Sequence, residues 1–576
     1  GDRAKGDSKT PKNSQQGEGG SSSAVQKADW PWPKDIATPF DDPIPPPSRV
    51  VISRMARDLY KPTLDLLNSW TLPEKMRGAN MLHALVFSAQ ASLDLYCSDI
   101  LNRASSLVSD LDHPTYPMIS RALQGMGYFL EVEVWLDEIA RHLKSQAEGH
   151  HSKWLVIFNL LLKGHPNAKV HKHIPTIAKI LMSERLCMSD DMPCRYFTSK
   201  CFETLVEIVT DLEGSLGMAT SEGVRKDMLW GLIMTMSKCG SAKELAQVTR
   251  VVSLLDQATL GEKKMREDDS KQHEEEQQQQ SIYSVYFMDM YARILGEGLD
   301  FKKIDWKQET KASRLMVTLL NQTAQDIHHH LKVVVPLIVT CCASLDHVGS
   351  VRINMLALLQ KLVSSSQTAS WAPYAGTIVS NVILPNMVWR NGLSAQTIRL
   401  SAVTVLASIL ACAPKCRADA CALLADRIET LETCLEDDDV RIRLLSTDVF
   451  FHLLNAAPDK IDELHLNKLY PKLLDRLDDS DDRVRIRMAR TLAALITKAF
   501  PEKESFDRTG QAFEYIMKHA LVHLDDPSED VNQAIFAFLK QAAHYNVKVF
   551  VESVTKARSR HTTPERCDAL LKIASE

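Results

Sequence analysis

With 576 residues, the chain has room for several ordinary domains or for one extended repeat array. Its apolar material is mostly aliphatic, 45% hydrophobic against 6% aromatic, which suits helices better than sandwiches. A formal net charge of -5 supplies no general attraction to nucleic acid or acidic membranes.

The 12 cysteines are scattered, with no CxxC pair, which fits a reduced compartment better than a disulfide framework. The chain opens on Gly1 with polar residues, so it reads as a fragment without a secretory signal peptide. Residues 1–49 join a Gly/Ser/Lys/Gln tract to a proline-rich tail and cannot build a core. They read as a disordered Gly/Ser/Pro-rich spacer. A sharper alternative is that Trp30-Pro31-Trp32-Pro33 docks on a partner or on the helices that follow.

From Val50 the pattern turns helical. YKPTLDLLNSW and PEKMRGANMLHAL, residues 60–70 and 73–85, form an apolar helix, a short polar turn and a second helix opened by Met76, Arg77 and Ala79. Residues 90–260 continue so, with breaks at Asp112-His113-Pro114, Gly164-His165-Pro166, Asp190 to Pro193 and Gly214, but in loose register. Residues 261–281, rich in charge and glutamine, read as a disordered insertion, or else as a solvated helix continuing its neighbour. The longest apolar run, Val333 to Leu345, includes Pro336 and falls short of the roughly 20 residues that span a bilayer, so the chain reads as soluble.

Beyond residue 331 the pattern becomes periodic. Five segments place Val351, Ile398, Val440, Val484 and Val531 just after a short turn, at separations of 47 (398 minus 351), 42, 44 and 47. Arg352, Arg399, Arg441 and Arg485 follow four of these anchors, and Pro336, Pro385 and Pro471 precede three of them by 13 to 15 positions. Two helices per unit at this period are the signature of HEAT or armadillo repeats. The expected fold is therefore all-α, an α-solenoid (ARM-type superhelix) of HEAT repeats. HEAT-like helical repeats occupy 50–260, and HEAT repeats with a C-terminal cap occupy 282–576. The stretch 473–496, LLDRLDDSDDRVRIRMARTLAALI, shows one unit most clearly: Leu473, Leu474 and Leu477 end one helix, and Val484, Met488, Leu492, Leu495 and Ile496 line the next.

The turn chemistry is first structural. Asp or Ser at a turn's end can cap the next helix, and an arginine at that helix's second position can reach the acidic turn of the adjacent unit. A functional reading stands beside it. Glu436, Asp437, Asp438 and Asp439, then Asp478, Asp479, Asp481 and Asp482, then Asp525 and Asp526, line up as an acidic strip for a basic partner.

No phosphate loop, GxSxG, HExxH or kinase signature is present, so no catalytic, cofactor or metal residue is assigned and the chain reads as a non-enzyme. His328-His329-His330 and His171 with His173 point to different helix faces and read as structural. Cys412 and Cys416 share a face at i and i+4, yet with Cys421 they sit among small residues and read as packing. Lys556, Arg558, Arg560 and His561 form the nearest basic group, without interleaved aromatics, and read as a surface helix.

The run ILPNMVWRNGLSAQTIRLSAVTVL (383–406), the paired turns LEDDDVRIRLL and LDDSDDRVRIRMA, and the tail KARSRHTTPERCDALL resemble the C-terminal part of the HEAT-repeat dynein axonemal assembly factors. RVVISRMARDLYKPTLDLLNSW and MRGANMLHALVFSAQ resemble the middle of the same family. The resemblance implies a cytoplasmic scaffold for preassembly of outer and inner dynein arms. It would bind axonemal dynein chains such as the intermediate chain, with other assembly factors or chaperones as further partners, and neither nucleic acid nor membrane. A karyopherin-like transport receptor, or a HEAT scaffold subunit of an enzyme complex, is the alternative.

Overall fold

The computed structural model describes residues 36–40, 44–145, 150–164, 167–211, 218–267, 280–296, 300–412, 414–501, 507 and 510–576. Trp30 to Pro33, most of the expected 1–49 spacer, and 268–279 of the expected insertion lie outside them. Every element among the described residues is a helix, so the fold is all-α, built of HEAT-type hairpins. The chain divides into two compact units, Gly1–Lys172 and His173–Glu576.

The first unit stacks three hairpins: Pro46–Asn68 with Leu72–Ala89, Cys97–Leu107 with Tyr116–Phe129, and Val132–Lys144 with His151–Gly164. The second helices form a spine, and Phe87, Ile119, Leu123, Met126 and Phe158 fill it without solvent exposure. The last two spine helices touch backbone to backbone. A Cβ at Gly127 would lie 2.1 Å from the carbonyl oxygen of Leu161, and one at Gly164 would lie 1.8 Å from that of Gln124. Only glycine permits this approach.

The second unit repeats the plan. Its clearest spine runs through Gly349–Val363, Leu393–Cys412, Val440–Ala456, Asp482–Ala494 and Glu529–Ala542, each packed on the next. Ala402, Leu406, Ile442, Phe450, Val484, Leu492 and Ile535 lie in these contacts fully buried. Pro336 and Pro471 sit inside the first helices of their hairpins, while Pro385 follows a wide π-turn at Val379–Ile383. Pro336 and Pro471 each remove one backbone donor from their helix. At the end, Pro564–Ser575 folds back on Val547–Arg558 and buries Cys567 and Leu570.

One reading of the sequence needs correction. The residue equivalent to Val484 is Ile442, not Val440. In both turns an aspartate five positions earlier, Asp437 or Asp479, accepts the backbone N–H two residues on at 3.0 Å, and Ile442 is buried while Val440 is not. Asp526 repeats this before Val531, accepting from Ser528 at 2.9 Å. The anchors are then spaced by 44 (442 minus 398), 42 (484 minus 442) and 47 (531 minus 484). Among the described residues one helix, Leu393–Cys412, is long and apolar enough by composition to cross a membrane. Its apolar faces are taken up by the neighbouring spine helices on either side.

Candidate interaction edge of the second unit

The turn that opens each spine helix has a fixed internal chemistry. Asp439 and Asp481 cap their helices, accepting from the backbone N–H groups of Arg441 and Arg483 at 2.9 Å each. The side chains of those two arginines fold back onto the same caps, at 2.6 and 2.8 Å. Hydrogen bonding from Arg483 holds the Asp481 carboxyl down at about 2, and Arg441 likewise lowers that of Asp439.

Between turns runs a ladder of charge pairs. Arg399 donates to Asp437 at 2.9 Å, Arg443 to Asp479 at 2.7 and 2.9 Å, and Arg485 to Asp526 at 2.5 Å. Each arginine directly follows a buried anchor, and its partner belongs to the next turn along the array. Arg441, expected to make such a link, instead closes on its own cap, and Arg443 makes it. The anchor shift explains this, because only the residue after Ile442 faces the neighbouring turn. Burial opposes the charge of Asp479, yet the hydrogen bonds from Arg443 and from the backbone of Asp481 outweigh it and keep the carboxyl low. Arg352 reaches Asn386 at 3.1 Å, a neutral version of the same link.

The ladder also appears where the sequence gave no register. Arg195 follows buried Cys194, donates to the carbonyl of Ser189 at 2.6 Å and to Glu244 at 2.9 Å, as Arg443 donates to the carbonyl of Asp437 at 2.9 Å and to Asp479. An arginine after an apolar residue, a few places beyond Ser189-Asp190-Asp191, was the available signal.

The ladder brings the candidate acidic residues together along one edge and divides them. Asp437, Asp479 and Asp526 turn inward to arginines, and Asp439 and Asp481 act as caps. Asp525 accepts from Thr562 Oγ1 at 2.7 Å and pairs with His561 at 3.0 Å, which pins the turn before the last helix. Glu436, Asp438, Asp478 and Asp482 face outward. Glu436 lies 3.9 Å from Lys472 and Asp478 lies 3.7 Å from the His523 ring, whose pKa burial lowers, and Asp482 pairs with Arg485.

One turn earlier on the same edge, Val388, Trp389 and Leu393 are 45%, 53% and 80% exposed. Gly392 shapes this turn with φ +103, and the Arg399 guanidinium lies 5.8 Å from the Trp389 ring. The sequence reading missed this apolar group. In the first unit, Trp70 at 96% exposed holds a comparable hairpin-turn position.

Of the histidines and cysteines singled out, His330 and Cys421 are packing groups, while Cys412, expected to pack, is exposed. His330 stacks on Phe287 at 4.3 Å and is hydrogen-bonded to Ser284 at 3.0 Å; burial pushes its pKa down. His328 lies against His329, and the short helical turn His171–His173 has no buried residue. Cys421 is buried, Cys412 is exposed, and Cys416 reaches the carbonyl of Ala372 at 3.6 Å. Among the described residues no three His, Cys, Asp or Glu side chains gather to hold a metal ion.

Residues 47–219 match the family model described as Dynein axonemal assembly factor 5, HEAT-repeat domain, in the part of the chain where the repeat register was hardest to read. The chain is 26% identical over 291 residues to Dynein axonemal assembly factor 5 of Xenopus laevis, covering 49% of this chain and 34% of the relative. It is 21% identical over 523 residues to the Homo sapiens protein of that name, covering 88% of this chain and 56% of the relative. The chain thus spans between a third and just over half of the curated relatives it matches. Among solved structures it is similar to the karyopherin Kap121p bound to the SUMO protease Ulp1p, at TM-score 0.33 and 11% identity over 88% of this chain and 54% of that one. A designed armadillo repeat protein matches at TM-score 0.29 and 15% identity over 42% and 99%.

Proposed function

We infer that this chain, similar to the HEAT-repeat dynein axonemal assembly factors, is a non-enzymatic cytoplasmic scaffold for preassembly of outer and inner axonemal dynein arms before their delivery to motile cilia. Its clients are axonemal dynein chains, the intermediate chain first among them, with other assembly factors or chaperones joining the complex. The observation that supports this most is the division of labour along the edge. The inward carboxylates bind the stack together and leave Glu436, Asp438, Asp478 and Asp482 directed at solvent. A partner carrying basic residues at matching intervals meets several weak contacts at once, which is how a repeat array holds a large or partly folded client. Trp389 and Leu393 add an apolar anchor of the kind that dominates binding energy at interfaces.

Affinity purification of the tagged chain from ciliated tissue, with identification of the bound proteins, tests the reading. Axonemal dynein intermediate or heavy chains are the expected catch. Recovery of a small GTPase would point instead to a transport receptor, and a stoichiometric catalytic subunit to an enzyme scaffold.

A further inference from the structure

The last two hairpins of the array enclose a groove that the client edge does not use. It measures about 690 Å³ and lies between the helices Gln511–Val522 and Val547–Arg558. Lys518 and Val522 sit at i and i+4 on one wall, and Lys556 stands on the other, with Arg560 in the turn just beyond that helix's end. Leu521 and Ala557 form the floor, and Val522 is 68% exposed above it.

The charge state of this groove sets it apart. Neighbouring cations are spoken for: Arg558 binds Asp568 at 2.6 Å, Arg566 binds Glu529 at 2.8 Å and His561 binds Asp525 at 3.0 Å. Lys518, Lys556 and Arg560 make no ion pair among the described residues. Three exposed cations thus converge beside an exposed apolar side chain, in a chain whose net charge is -5. Asp525 holds the turn at Thr562 against the groove's end with hydrogen bonds of 2.7 and 3.0 Å, so that wall is preformed.

We propose that this groove binds a short acidic segment of a partner protein, with carboxylates on Lys518, Lys556 and Arg560 and an aliphatic side chain over Val522, Leu521 and Ala557. The wall from Glu514 to Val522 is about 12 Å long at the helical rise, room for roughly four extended residues. A nucleic acid is the poorer fit. It carries no aliphatic side chain for the exposed Val522, and the one ring in the lining, His561, is already tied to Asp525. The site is independent of the dynein reading and stands on residues that reading does not invoke.

Fluorescence anisotropy with a fluorescein-labelled peptide of alternating Glu and Leu, titrated with the purified chain, tests the proposal. Binding should weaken at least about tenfold in the triple variant K518E/K556E/R560E and on raising salt from 0.05 to 0.5 M. Val522→Ser should weaken it several-fold with the salt dependence kept, and Lys548→Glu, on the Val547–Arg558 helix but outside the groove, should leave it unchanged. Circular dichroism melts confirm that the surface variants stay folded, and Val522→Ser decides the matter should the triple variant not. Absence of peptide binding, indifference to these substitutions, or tighter binding of a labelled oligouridylate would overturn the proposal.

Discussion

The guanidinium of Arg443 and the carboxylate of Asp479, 36 residues apart in sequence, meet through two hydrogen bonds of 2.7 and 2.9 Å. The Asp479 side chain is 1% exposed and that of Arg443 12%. This pair joins one hairpin to the next, as Arg399–Asp437 and Arg485–Asp526 do on either side of it.

Arg443→Ala is therefore expected to destabilise the second unit by about 3 kcal/mol, because it leaves a carboxylate buried without its partner. Replacing both members by apolar residues of similar size, R443M/D479L, should restore only part of that loss, because Asp479 also accepts the backbone N–H of Asp481. Urea unfolding followed by circular dichroism measures both. A double variant as unstable as the single one would mean that the pair contributes far more than the relief of a buried charge.

The core contacts are less forgiving. Val484 and Leu492 are fully buried in the spine, so an aspartate at either position places an unpaired charge between hairpins and should cost more than about 4 kcal/mol. Splitting the array there should also abolish client binding. Wild-type-like melting together with normal client pull-down would contradict this.

Acid should undo the turns in a defined window. The carboxyls of Asp479 and Asp481 are held below the usual range in the folded chain, that of Asp481 at about 2. A depressed folded pKa means that the stabilisation is complete above the unfolded value, about 3.9, and is lost as pH falls through the folded one. Melting temperature should decline gently below about pH 6.5, where burial disfavours charging His83, His330, His452 and His523, and then fall more steeply between about 4 and 2. Asp479→Asn should lower the plateau and make the acid fall shallower, because it removes one of the titrating groups.

The thiols separate by burial. Burial pushes Cys342 and Cys434 up to about 12 and Cys341 higher still, whereas Cys412 is exposed. A maleimide should label Cys412 in the native chain and leave the other three until unfolding, as read by mass spectrometry of the peptides. Equal labelling rates would show that the spine around Cys341 opens readily.

The hairpins and their period were legible because aliphatic residues recur at helical spacing and acidic turns punctuate them. The two-residue slip at Val440 arose because Val440-Arg441 and Ile442-Arg443 fit the same anchor pattern. What separates them is Asp437, which stands five places before Ile442 as Asp479 does before Val484. The acidic strip was legible as a row of charges but not as two sets, since inward and outward carboxylates differ only in which reaches an arginine of another hairpin. Arg195 and Glu244, 49 residues apart, gave no local sign of their pairing. Trp389 and Leu393 stand in an apolar run whose exposure only the turn at Gly392 reveals. The groove was hidden because each of its walls, taken alone, shows only cations on one face of a helix.

The central claim is that the outward carboxylates hold the client while the inward ones hold the stack. It is tested most directly by titrating a purified axonemal dynein intermediate chain onto the wild-type chain and onto the variant E436K/D438K/D478K, with melting curves recorded for both. The account predicts a loss of affinity of at least about tenfold, together with loss of its salt sensitivity, at a melting temperature within a few degrees of wild type. Undiminished binding by the folded variant would contradict it.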